Sequence, residues 1–69
     1  MPDSTYKIIE LVGSSEVSWE DAAKKAIETA SKSLKELRIA EVVEQDMKIE
    51  AGKIVMFRTR LKLSFKYEE

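Results

Sequence analysis

Arg38 to Tyr67 reads RIAEVVEQDMKIEAGKIVMFRTRLKLSFKY. In its second half Val55, Phe57, Leu61, Leu63, Phe65 and Tyr67 alternate with Arg58, Arg60, Lys62, Ser64 and Lys66. A period of two with one apolar side is the pattern of a half-buried strand. Thr59 is the one polar residue within the apolar set. Ala51-Gly52 supplies a bend, so Arg38–Glu50 and Lys53–Tyr67 form the two arms of a hairpin. With that turn Glu50 faces Lys53, and every other pair follows. Ala40 and Val42 then share a face with Phe57, Leu61 and Leu63. On the other face Ile39 meets Ser64, Glu41 meets Lys62, Val43 meets Arg60 and Gln45 meets Arg58. Cross-strand partners of this kind contribute roughly 0.2–1 kcal/mol each. A slip of one residue would invert both faces.

Upstream, Tyr6–Val12 is a short apolar strand stopped by Gly13, Ser14 and Ser15. Ser18 then offers an N-cap, with Trp19, Glu20 and Asp21 in the first helical turn. The two acids suit the positive end of the helix dipole, and Asp21 stands where a capping box places its acid. Ala22, Ala23, Ala26, Ile27, Ala30, Leu34 and Leu37 keep helical spacing, which predicts about five turns. An alanine-rich stripe allows close approach to a sheet but buries little area per residue. The fold class is α+β with the order β-α-β-β. A right-handed crossover makes the outer strands parallel in direction. The last strand lies between them, giving a three-stranded antiparallel sheet that partly wraps one amphipathic helix. Hairpin arms of roughly 40 Å at ~3.3 Å per residue overhang a helix of about 30 Å. The overhang needs a neighbour, and the expected neighbour is another copy.

Residues 1–69 make a single domain, and a chain this short buries only about 60% of its unfolded surface. Such domains rely on disulfides, metals or association. Cysteine and histidine are both absent, which removes disulfides, thiolate metal sites and any Ser-His or Cys-His catalytic unit. Association remains. The net charge is −1 with both signs interspersed, so no field draws in nucleic acid. No apolar run reaches membrane-span length, and Met1 to Thr5 is too short and polar for a signal peptide. The expected location is the cytoplasm, and no membrane partner is expected.

Glu41, Glu44, Asp46 and Glu50 have two readings. They are cross-strand and intersubunit ion pairs with Lys48, Arg58, Arg60 and Lys62. Alternatively Glu41, Glu44 and Asp46 hold a divalent cation such as calcium when copies come together, since calcium takes six to eight oxygens. Arg58, Arg60, Lys62 and Lys66 face acids in equal supply and lack exposed aromatics between them, so they do not make a nucleic-acid strip. The GSSE segment lacks phosphate-loop spacing. Trp19, in the first helical turn, is read as a packing or subunit-contact residue. No set of residues supports catalysis, and the chain is not read as an enzyme.

The segments YKIIELVGSSEVSWEDAAKKAI, LRIAEVVEQDM and FRTRLKLSFKYE resemble a dodecin, in order and over nearly the whole chain. Most specific are VGSS followed by SWEDAA, and the closing LSFKYE. The resemblance implies a hollow homododecamer and, in flavin-binding members, flavins paired between tryptophans at two-fold axes for storage and quenching. The stacking tryptophan of that pattern falls at Ile39, and the glutamine that bonds the isoalloxazine edge falls at Arg58. The acidic-amide pair of the pattern is present as Glu44 and Gln45. Ile39, Glu44, Gln45 and Arg58 are therefore the ligand-binding residues that the resemblance implies. Isoleucine keeps apolar contact but gives up stacking worth about 0.5–1.5 kcal/mol. Arg58 retains the means to stack on a ring or bind a phosphate, which leaves room for FMN or another phosphorylated ligand, while riboflavin affinity is expected to be weakened. A structural shell without a dedicated ligand is the remaining alternative.

Overall fold

The computed structural model describes residues 5–67. Met1 to Thr5, read as too short and polar for a signal peptide, lies outside them except for Thr5, as do Glu68 and Glu69 of the single domain. Four elements follow in order: β1 (Tyr6–Ser15), α1 (Trp19–Ser31), β2 (Leu37–Glu50) and β3 (Lys53–Lys66). The sheet order is β1-β3-β2, with β3 antiparallel to both neighbours. This is the expected β-α-β-β arrangement.

Gly13, Ser14 and Ser15 do not stop β1 as expected. They continue it, pairing with Thr59, Arg58 and Phe57. Gly13 permits close approach at this point. A Cβ there would overlap the Ala22 carbonyl oxygen and come within 2.9 Å of the Ala26 Cβ. The helix can therefore lie directly on the strand, with Ala22, Ala26 and Ala30 buried against it. Small side chains on both elements are what set that distance.

The helix has 13 residues, shorter than its apolar spacing predicts. At its start Ser18 caps it by accepting the Asp21 N–H at 3.0 Å. The Asp21 carboxylate does not complete a capping box. It accepts from Ser15 Oγ at 2.6 Å and pairs with Lys25 at 3.1 Å. Both partners favour the charged form, so the carboxyl is held below its ordinary value of 3.8. At the other end, Ser33 and Leu34 both donate to the Ala30 carbonyl, at 3.1 and 2.9 Å. Ser31 bonds back to the Glu28 carbonyl, and Glu36 turns the chain with φ of 62°. Leu34 and Leu37 thus leave the helix but still pack on the core with Leu61 and Leu63.

Thr59, the polar residue in the apolar row, is fully buried and donates from Oγ1 to the Trp19 carbonyl at 2.9 Å. The helix covers β1 and β3 and leaves β2 largely bare. Ala40 and Val42, expected beneath the helix, are exposed, Val42 by 52%. Phe57 is half-buried, under the edge of Trp19 at 5.1 Å between ring centroids.

Register follows the expectation at the hairpin tip and from Ile39 to Val42, departs from it between those runs, and slips again at Arg38, where Leu37 pairs with Phe65 in its place. Glu50 pairs with Lys53, and Ile39, Ala40, Glu41 and Val42 pair with Ser64, Leu63, Lys62 and Leu61. Between these runs, extra residues at Val43 in β2 and Val55 in β3 shift the pairing by one. Gln45 therefore faces Thr59 instead of Arg58, and Glu44 takes the place expected for Val43 opposite Arg60. A β-bulge puts two residues opposite one, so alternation changes phase across it.

Candidate functional site

The face opposite the helix carries four cross-strand rows. Ile8, Ser64 and Ile39 form the first; Glu10, Lys62 and Glu41 the second. Val12, Arg60 and Glu44 follow, then Ser14, Arg58 and Asp46. The first row is mainly apolar yet open, with Ile8 62% and Ile39 67% exposed. With Glu41 and Lys62 it lines a depression of about 200 Å³. Ser64 turns its hydroxyl to the Ile39 carbonyl at 3.4 Å.

The fourth row is the most strongly bonded. Arg58 donates Nε and Nη2 to the two carboxylate oxygens of Asp46 at 2.7 and 2.8 Å. From the helix side, Trp19 Nε1 donates to the Asp46 carbonyl at 3.0 Å. Asp46 is thus gripped by its side chain and its backbone at once. Hydrogen bonding to Arg58 holds its carboxyl below the ordinary 3.8, and the same contact raises the guanidinium's own value. Next to it Arg60 reaches Glu44 at 3.4 Å and Glu10 at 3.8 Å.

This pair gives a sign-definite pH effect. A carboxyl lowered in the folded state stabilises above its unfolded value and loses that contribution as pH falls through the folded value. Wild type is therefore expected to exceed Asp46→Asn in denaturation midpoint at neutral pH, with the difference closing below about 3.8. Salt should narrow it as well, since the pair is exposed. A difference that persisted unchanged in strong acid would assign the effect of Asp46→Asn to something other than the ion pair.

Of the four implied ligand residues, Ile39, Glu44 and Arg58 share the far face, whereas Gln45 lies with Thr59 on the helix side. Ile39 sits opposite Ser64, six positions along β3 from Arg58, or roughly 20 Å at ~3.3 Å per residue. One ligand touching both would have to take them from different copies. Glu41, Glu44 and Asp46 also share the far face, but each stands opposite its own base: Lys62, Arg60 and Arg58. Among the described residues of one copy, no three carboxylates gather closely enough to hold a metal ion. Ser64 stands opposite Ile39 as the hairpin register implies, whereas Ile8 and Glu10 join the face from β1, whose register against β3 no tight turn in the sequence fixes.

An open antiparallel sheet with one alanine-faced helix on one side and a charged face on the other defines the class. The dodecin family model matches residues 5–68. Calcium dodecin from Mycobacterium tuberculosis is 41% identical over 63 residues, covering 91% of this chain and 89% of that protein. The structure of dodecin from Streptomyces coelicolor superposes with a TM-score of 0.93 at 35% identity, over 100% of this chain and 99% of that one. A crystal structure of the Mycobacterium tuberculosis calcium-chelating immunodominant antigen, a calcium dodecin described with a novel calcium-binding site, gives a TM-score of 0.83. Its identity is 44%, over 94% of this chain and 93% of that one. The chain belongs to the dodecin family. Among the described residues no helix is long and apolar enough to cross a membrane.

Proposed function

We propose that the chain is a small-ligand binding and storage protein that works as a homododecamer, holding its ligand on the far face of the sheet between copies. It acts by binding and not by catalysis, in keeping with a sequence that lacks histidine and cysteine. The observation that carries the proposal is the exposed apolar row of Ile8, Ser64 and Ile39. Two large aliphatic side chains held open on a rigid sheet cost hydration until something covers them.

The need for copies has separate support. A compact chain of this mass should expose roughly 4,400 Å², whereas this one exposes 5410 Å². Its radius of gyration is 14.3 Å, against about 11 Å for a compact domain of this length. The surplus surface is comparable to the ~800 Å² that each partner contributes to a standard interface.

Ile39 tunes the proposed site. A flat ring resting on isoleucine gains apolar contact without aromatic stacking, so flavin is expected to bind weakly. Ile39→Trp should tighten riboflavin and FMN by about 2- to 12-fold, from stacking of ~0.5–1.5 kcal/mol. The measurement is quenching of flavin fluorescence as assembled protein is titrated in. If neither wild type nor Ile39→Trp quenches flavin, the far face is not a flavin-type site.

A second reading is calcium, favoured by the 41% identical calcium dodecin. Glu41, Glu44 and Asp46 supply oxygens on one face, and a cation site would combine them across copies. A rise in melting temperature with calcium, abolished in Glu41→Gln, is expected on this reading. A melting temperature indifferent to calcium would remove it.

A further inference from the structure

Three hydrogen bonds converge on Asp46. Arg58 donates Nε and Nη2 to its two carboxylate oxygens at 2.7 and 2.8 Å, and Trp19 Nε1 donates to its backbone carbonyl at 3.0 Å. The extra residue at Val43 sets Asp46, and not Gln45, opposite Arg58. Exposed ion pairs contribute little where two mobile side chains must be held in one geometry. Here the guanidinium grips the carboxylate as a parallel fork, and the strand beneath is pinned from the other face by an indole. Both side chains still reach the surface, Arg58 at 46% and Asp46 at 42% exposure, so a ligand on the far face meets them as a pair.

A free arginine on this face would seat a phosphate, because its fork matches phosphate oxygens two at a time. Asp46 has taken that fork. A phosphate approaching Arg58 must displace the carboxylate, or accept from the remaining Nη1 side with a second anion alongside, and the two anions repel. Among the described residues the neighbouring cations are engaged in the same way. Arg60, in the next row, is shared between Glu44 and Glu10 at 3.4 and 3.8 Å. Lys48, two residues beyond Asp46, is held by Glu50 at 3.3 Å. Farther along the face, Lys62 stands between Glu10 and Glu41. An uncharged ring asks less of this surface, since it needs only apolar cover and leaves every pair intact.

We propose that Asp46 determines specificity on the far face: by occupying Arg58 it admits an uncharged ring ligand and turns away the same ring carrying a phosphate. This role rests on the far-face binding proposed above, with Arg58 of one copy beside a ligand resting on Ile39 of another. It settles the charge of the ligand, which apolar contact at Ile39 does not.

The test is titration of assembled wild type, Asp46→Asn and the double variant D46N/R58Q with three probes. Riboflavin and FMN are followed by fluorescence quenching, and pyrophosphate by calorimetry. Wild type should bind riboflavin more tightly than FMN. Asp46→Asn should raise FMN affinity by about tenfold or more, as expected for a charge-assisted hydrogen bond to a freed guanidinium, and leave riboflavin unchanged. Added salt should shrink that gain, and D46N/R58Q should lose it. A substitution that merely loosened the sheet would weaken both flavins together. Pyrophosphate has no ring, so it reads Arg58 alone, and Asp46→Asn should bind it about tenfold more tightly than wild type whether or not flavin binds. Quenching of neither flavin by any of the three proteins would remove the flavin reading of the far face, and the pyrophosphate comparison then decides the role of Asp46. The proposal is overturned if wild type prefers FMN, if the gain from Asp46→Asn survives in D46N/R58Q, or if wild type and Asp46→Asn bind pyrophosphate equally.

Discussion

Gly13→Ala is expected to lower the stability of the chain by about 1–3 kcal/mol, the usual cost of forcing extra volume into a packed site. For a domain of this size that corresponds to a loss of about 4–24 °C in melting temperature. The added methyl would overlap the Ala22 carbonyl oxygen, a backbone atom with little freedom to move, and would press on Ala26. Relief requires the helix to lift from β1. That movement would strain the Thr59 bond to the Trp19 carbonyl and the Ser15 bond to Asp21, both of which span helix and sheet. Chemical denaturation at fixed protein concentration measures the effect, since association raises apparent stability. An unchanged midpoint would mean that the strand and helix have room to spare.

Leu61→Ala carries the other large effect. Leu61 is 1% exposed and packs with Leu63, Ala26 and Ala30. Truncation leaves a cavity between the helix alanines and the core leucines, so a loss of about 2–5 kcal/mol is expected. Its cross-strand partner Val42 gives a built-in contrast, because that side chain is 52% exposed in one copy. Val42→Ala should scarcely alter an isolated chain. If copies cover Val42, its cost should grow with protein concentration, whereas the cost of Leu61→Ala should persist at every concentration. Equal and concentration-independent losses from both would argue against a covered β2.

The order of elements, the central position of β3 and the bend at Ala51-Gly52 could all be read from alternation and turn residues. The helix length could not. Leu34 and Leu37 continue the apolar spacing, but Ser31 and Ser33 favour backbone bonds over another turn, and Glu36 reverses the chain. The β1 boundary was misplaced for a related reason. Gly13 usually marks a turn, and here it serves close packing inside a strand, which only the facing alanines reveal. Trp19, read as a packing or subunit-contact residue, packs on Phe57 of β3 within one copy. Its bond to the Asp46 carbonyl joins residues 27 positions apart, and no local pattern encodes such a pairing.

The candidate site was legible face by face but not row by row. Ile39, Glu41 and Arg58 fall on one face as the hairpin register implies. Arg58 takes Asp46 as its partner, and not Gln45, because one extra residue is absorbed at Val43. Two consecutive valines at positions 42 and 43 fit a strand equally well in either phase, so composition gives no sign of the irregularity.

That extra residue makes the length of β2 matter independently of its chemistry. Loss of the single codon for Val43 would be a different lesion from any substitution there. With Val43 gone, Ile39, Glu41, Glu44 and Asp46 would fall into one unbroken alternation and keep the far face. What would be lost is the bulge itself, with its bend and added local twist in β2, and no choice of side chain at position 43 does that.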